Sequence, residues 1–363
     1  MSDYRTSLQR LYSLAPTGSK YGLERMQSAC DRFGNPERSF QAVHIAGTNG
    51  KGSTAAFLAN MAPAAGRRVG LYTSPHLVKF TERIQVGGQP ISDDVAAELI
   101  ERVLDAAPEL TFFEVTTLVA FLAFKEAGVD FAVLEVGLGG RLDATNVIPP
   151  PLVAVITRVA YDHMDVLGNS LQEIGREKAG IIKSGSKVVC GRLHPDARAE
   201  VEARAQAVGA EILPLGSPEP IPGAPLGYPR IAMLGTNLAV AVTAGRALGF
   251  TAEQLARGVE ATHWPGRNEL LHRNGQDVTL LDCAHNPDGA VTLSHMLDPS
   301  LLAEIDSRRD IALVFGSVEG KSWKPMLRRL ENVAFNRVYV APPLQAGRRK
   351  GVPPEEKIGR AHV

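Results

Sequence analysis

The sequence predicts an α/β protein: a large domain on a parallel, phosphate-binding sheet, then a smaller α/β domain. Three observations carry this. Short runs rich in Val, Ile and Ala alternate with amphipathic stretches along most of the 363 residues. A glycine-rich turn, GTNGKGS, joins one such run to a helical stretch. Near HWPGRNE the rhythm breaks on Pro and Gly and then restarts. Strands that alternate with helices pair in parallel through right-handed crossovers.

Taken in order, residues 42–46 read as a buried strand, followed by the turn and a helix over 53–65. Residues 69–72 form a second strand, and 84–91 a hairpin turning on Gly87-Gly88. Helices are expected over 93–106 and 114–126, and Val-rich strands over 131–136 and 153–157. Then come a strand at KVVC, a helix over 195–208 and a short EILPL run. Residues 214–230, with six prolines and three glycines, read as a surface loop. Helices follow over 236–248 and 252–261. Beyond the break, strands are expected at 278–283, 311–316 and 337–341, with helices after Asn286 and Trp323. The expected domains are 1–266 and 267–357. The terminal string KIGRAHV matches one reading frame of a common sequencing-adapter oligonucleotide. Residues 358–363 are therefore expected to be non-native and the second domain to be cut short.

Composition narrows the function. Lys plus Arg and Asp plus Glu both total 39, and zero net charge argues against a general nucleic-acid or anionic-membrane binder. Cys30, Cys190 and Cys283 are far apart and odd in number, so they form no disulfide framework and read as small buried hydrophobes. The N-terminus has no signal-peptide pattern, and the longest apolar run, 118–124, is far short of a membrane span. A cytoplasmic, soluble chain is expected.

Five segments carry candidate chemistry. Thr48, Asn49, Gly50, Lys51, Gly52 and Ser53 follow a strand and open a helix, where backbone N–H groups hold phosphate oxygens and Lys51 adds a point charge. The strict P-loop pattern is not met: Ile45 stands in place of its first glycine, and Gly52 separates Lys51 from the hydroxyl. Glu135, at a strand's C-terminal end ahead of VGLGGRLDATN, sits where open α/β sheets bind ligands and suits Mg²⁺. His163, in DHMD past the next strand, is placed to join it. Lys178 closes a helix in REKAG and, on its own, reads as a surface lysine complementing the helix dipole. In LDCAHNP, Asp282 ends a strand of the second domain, while Asn286 with Pro287 fits a helix N-cap.

Together these segments resemble the folylpolyglutamate synthase/dihydrofolate synthase family, a branch of the Mur ligases. HIAGTNGKGST, YTSPHL, ERI, EVGLGGRLDATN, DHMDVLG, REKAGIIK, WPGR and LDCAHNPDG occur in the family's order from about residue 18 to 345. The glycine after Lys51 is that family's own form of the turn.

The resemblance implies a Mur-ligase-type ATPase domain followed by a Rossmann-like domain. It also implies a monomer that makes an amide from ATP, L-glutamate and dihydropteroate or a reduced folate. By matching positions, residues 48–51 would hold the ATP phosphates, and Ser74, Glu135 and His163 would hold Mg²⁺. Lys178 would be carbamylated by CO₂. Asn237, Arg267 and Asp282 would contact ATP. Thr111, Phe112, Phe113 and Glu114, with Leu142, Asp143 and Ala144, would contact dihydropteroate. His285 falls in the C-terminal motif of the substrate site. Lys51, Lys178 and His163 form the expected catalytic set. Another Mur-type amino-acid ligase, or an ATP-binding remnant inactivated by truncation, are the alternatives.

Overall fold

The computed structural model describes residues 3–14, 22–216, 232–273, 277–297, 311–318 and 321–341. Before the first strand come two helices the sequence pattern did not single out, α1 (Tyr4–Ser13) and α2 (Glu24–Arg32). Each is short, and each buries only a narrow stripe, such as Leu11 on α1 and Met26, Ala29 and Cys30 on α2.

The strands that follow are β1 (Gln41–Ala46), β2 (Val69–Tyr72), β3 (Ile84–Val86), β4 (Gln89–Pro90), β5 (Phe131–Glu135), β6 (Val153–Ile156), β7 (Lys187–Cys190) and β8 (Glu211–Leu213). They form one sheet in the order β4-β3-β2-β5-β1-β6-β7-β8. β2, β5, β1, β6, β7 and β8 run parallel, and the β3–β4 hairpin adds an antiparallel edge. β1 pairs with β5 on one side and β6 on the other, so Ile45 lies beside Glu135 and Ala46 beside Ile156. The chain leaves β1 at this shared C-terminal edge.

Helices cover both faces, which is why the parallel strands are unbroken apolar runs. They are α3 (Lys51–Ala64), α4 (Asp93–Ala106), α5 (Phe112–Ala127), α6 (Met164–Leu167), α7 (Leu171–Ala179), α8 (Pro195–Val208), α9 (Ala232–Ala247) and α10 (Ala252–Glu260). On one face Ala42, Tyr72, Ala132 and Leu134 pack with residues of α4 and α5. Along the same sheet Ala46, Ala154, Ile156 and Val188 pack with α7 and α8. α3 is buried over most of its length and lies against α10. It begins at Lys51, two residues ahead of the expected start, because Gly50 takes the cap position.

The chain divides into two units, the second holding Trp264 onward. In that unit β9 (Glu269–Arg273) and β10 (Asp277–Leu281) form an antiparallel hairpin. After α11 (Pro287–Met296), β11 (Ala312–Phe315) pairs in parallel with β12 (Arg337–Val340), with α12 (Trp323–Leu330) between them in sequence. Ala290, Phe315 and Met326 make its small core. β9 was not expected: only Leu270-Leu271 are apolar there, too short a run to stand out. The Pro-rich segment from residue 217 on and the terminal string at 358–363 lie outside the described residues. Cys30 and Cys190 are buried and Cys283 partly so, and all three are free thiols. Among the described residues no helix is long and apolar enough to cross a membrane.

Candidate active site

The turn after β1 is built to offer its backbone. Gly50 adopts φ 87°, a left-handed conformation at the N-cap of α3, and a Cβ there would collide with the Asn237 side chain from α9. Asn237 is thereby placed against the turn. Thr48 donates its N–H to Arg158 O at 2.6 Å, and its hydroxyl bonds Ala160 at both O and N, each at 3.1 Å. Thr157 Oγ1 donates to Asn49 O at 2.7 Å. The segment after β6 therefore braces the turn from behind. Lys51 Nζ donates to Gly47 O at 3.0 Å and Thr48 O at 3.3 Å, folded back along the loop it would share with phosphates. Gly52 and Ser53 form the first turn of α3, where unpaired helix N–H groups favour anions.

Glu135 ends β5 next to this turn. It is buried, and its Oε2 accepts from Ser74 N at 3.1 Å. Ser74, just after β2, therefore meets Glu135 at the same sheet edge. His163 caps α6 with φ 51°, its N–H donating to Asp162 Oδ1 at 3.0 Å. Its ring is 40% exposed, with Nε2 3.8 Å from Asp162 Oδ1. Among the described residues no three His, Cys, Asp or Glu side chains group as a metal site. A divalent ion here would draw on the Ser74 hydroxyl and phosphate oxygens beside Glu135. That hard-oxygen set suits Mg²⁺.

Beside this edge lies a cleft of about 610 Å³. Ser74, Thr111, Phe112, Phe113, Glu114, Leu142, Asp143 and Ala144 all line it, so both expected substrate segments meet in one cavity. Thr111 and Glu114 form a capping box at the start of α5, with Thr111 N donating to Glu114 Oε2 at 2.8 Å. Asp143 is committed to the loop's own architecture. Its Oδ2 accepts from Gly137 N and Leu138 N, each at 3.0 Å, and its Oδ1 from Thr145 N at 3.0 Å and Thr145 Oγ1 at 2.5 Å. Burial raises its carboxyl pKa, against which these bonds act.

The same loop is locked to the end of α7. Asn146 Nδ2 donates to Arg141 O at 3.0 Å and Gly180 O at 3.2 Å. A Cβ at Gly140 would press on the carbonyl oxygens of Glu177 and Lys178. Lys178, far from being a surface residue, is only 3% exposed. Burial lowers its ammonium pKa to about 7, and the charge of Lys51 adds to the fall, while Asp162, Asp143 and Glu177 oppose it. The amine is thus within electrostatic reach of the glycine-rich turn, the DHMD segment and the cleft loop together.

A family model for the Mur ligase middle domain matches residues 45–208. The dihydrofolate synthase/folylpolyglutamate synthase of Bacillus subtilis is 36% identical over 366 residues, covering 91% of this chain and 83% of the relative. The chain belongs to the folylpolyglutamate synthase/dihydrofolate synthase family. Solved members share its fold. Escherichia coli FolC in complex with DHPP and ADP superposes with a TM-score of 0.85 at 31% identity, over 98% of this chain and 87% of that one. The Mycobacterium tuberculosis folylpolyglutamate synthase, complexed with ADP and AMPPCP, gives 0.83 at 30% identity, over 98% and 85%.

The second unit of this folylpolyglutamate synthase family member carries the other expected residues. Asp282 Oδ2 accepts from Asn268 N at 3.1 Å and its Oδ1 from Ala284 N at 2.8 Å. Burial raises its pKa, while the charge of Arg267 acts the other way. His285 is exposed, its Nδ1 3.1 Å from Cys283 O. Asn286 caps α11 by accepting from Gly289 N at 2.8 Å, with Pro287 in the first turn, as its sequence position suggested.

Sequence reasoning missed three residues of the first unit. Arg25 lines the cleft and donates to Glu114 Oε1 at 3.0 Å. Arg83 lines it too. Fully buried His44, on β1, bonds Thr145 Oγ1 through Nε2 at 2.8 Å, linking the strand that feeds the turn to the loop that shapes the cleft. The ERI and HIAG strings held Arg83 and His44, but a single basic residue in an apolar run gives no sign of what it touches.

Proposed function

We propose that this chain activates the carboxylate of dihydropteroate or a reduced folate with ATP and joins it to L-glutamate. The observation that carries this is the place of Lys178: a buried amine within reach of both the phosphate turn and the pteroyl-sized cleft. A carboxylate is a poor electrophile. One of its oxygens attacks the γ-phosphorus of ATP, ADP departs, and an acyl phosphate forms. The amine of glutamate then adds to the acyl carbon, and the tetrahedral intermediate collapses by expelling phosphate and losing a proton.

Two anions must meet in the first step, so charge neutralisation governs its rate. Residues 48–53 cradle the phosphates, with Lys51 swinging from its loop carbonyls onto them. Asn237 fixes the turn from α9. Ser74, Glu135 and His163 would hold Mg²⁺, which neutralises phosphate charge when bound. Arg267 and Asp282 are proposed to serve the nucleotide and His285 the substrate. Phe112 and Phe113 offer aromatic faces to a pterin or benzoate ring, and Leu142 and Ala144 offer apolar contact.

Lys178 is proposed to carry a carbamate. The reaction needs a neutral amine: its nitrogen lone pair attacks CO₂, and one proton leaves. With its pKa lowered to about 7 by burial, the neutral amine is far more populated near neutral pH than on an ordinary lysine. The product turns a cation into an anion beside Lys51.

The test is ADP release with L-glutamate plus dihydropteroate, then with L-glutamate plus a reduced folate. Release that requires glutamate and yields an amide product supports the reading. ADP release indifferent to glutamate would contradict it.

A further inference from the structure

Three arginines line the cleft, and two of them already hold carboxylates. Arg25 donates to Glu114, and Arg141 donates from Nε and Nη2 to Glu177 Oε1 at 3.0 and 2.9 Å. Arg83 differs. Its residue exposure is 7%, yet among the described residues it forms no ion pair. Its Nε donates to His76 Nδ1 at 2.7 Å, and its guanidinium carbon lies 5.4 Å from the centre of the Phe112 ring. These contacts hold the group at the wall of the cleft, and neither terminal NH₂ group is taken by an ion pair among the described residues.

The backbone sets where that charge lies. Arg83 O accepts from Thr73 N at 3.0 Å, so Arg83 sits across from the residue before Ser74. Glu135 is close enough to act on it electrostatically. A buried guanidinium with nearby carboxylates but no direct ion pair is costly, and it is retained where an anionic ligand supplies that pair.

Resting on the ligase reading above, the geometry points to Arg83 as the residue that receives the reacting carboxylate of the pteroyl substrate. Stacked over Phe112 at the Ser74 end of the cleft, it holds one carboxylate oxygen and leaves the other free to attack phosphorus. It also makes the site select acids over neutral analogues of the same shape, because a neutral group leaves the guanidinium unpaired.

Calorimetric binding of dihydropteroate and of its carboxamide, each with a non-hydrolysable ATP analogue present, tests this. The protein should prefer the acid by about 10- to 100-fold, the scale of a charge-assisted hydrogen bond. Arg83→Gln should weaken the acid alone and bring the ratio near one, with nucleotide affinity unchanged. Arg83→Lys should recover part of the preference. Equal weakening of acid and amide in Arg83→Gln would show that Arg83 reads the ring or merely holds the loop, and would overturn the assignment. An unchanged ratio would overturn it too. If Arg83→Gln loses nucleotide affinity through misfolding, the acid-to-amide ratio of Arg83→Lys decides: a ratio equal to that of the parent protein contradicts the proposal. A parent protein that prefers the acid but releases no glutamate-dependent ADP would sink the ligase reading and leave this one standing.

Discussion

Lys178 and His44 show how burial converts ordinary side chains into specialised ones. On a helix end in sequence, Lys178 looks like a dipole partner; its chemistry depends on the loop at 137–146 closing over it, a contact far away along the chain. Lys178→Ala should lower ligation strongly, while Lys178→Glu, which supplies a carboxylate in place of a carbamate, should retain more. Equal turnover loss in the two variants would count against the carbamate. Lys51→Ala should abolish ATP-dependent ligation, read as ADP release. His44 carries a different prediction. Burial holds its pKa down near 3, with Lys183 adding to the effect. Between that value and the ordinary one near 6.5, the unfolded chain binds the proton and the folded chain does not. Stability should therefore fall as pH drops through this window, by about 1.4 kcal/mol per pH unit from this group. Urea unfolding at pH 4.5 and 7.5 should show the drop, and His44→Gln should narrow it by about 2–3 kcal/mol. An unchanged gap would remove His44 as the source.

At the scale of elements, the site is a set of loops pinned to one another as much as to the sheet. The strands, the turn after β1 and most helices were legible because apolar period and glycine placement are local signals. The expectation that Ser74, Glu135 and His163 act together came mainly from the order of motifs. What stayed hidden was tertiary: the burial of Lys178, the pairing of Glu114 with Arg25, and the role of Asp143, which holds Gly137 and Leu138 by their amides. Asp143→Ala should free those N–H groups and loosen the cleft wall. The Michaelis constant for dihydropteroate should then rise at least several-fold with little change for ATP, checked by steady-state kinetics. Gly50→Ala should do the reverse. A side chain there meets Asn237 and a left-handed backbone, so nucleotide affinity should fall at least tenfold while pteroyl binding persists. Direct nucleotide titration distinguishes the two outcomes.

For the whole molecule, the parallel sheet concentrates function at one edge. β1 ends in the glycine-rich turn, β5 in Glu135, and β2 leads into Ser74, so three neighbouring strands deliver three kinds of group to one rim. The central claim is that this rim converts a carboxylate into an acyl phosphate before glutamate arrives. Oxygen tracing tests it directly. Dihydropteroate labelled with ¹⁸O in its carboxylate should pass one labelled oxygen to the inorganic phosphate released during glutamate-dependent turnover. Phosphate free of label, with the departing labelled oxygen found in water instead, would contradict the account.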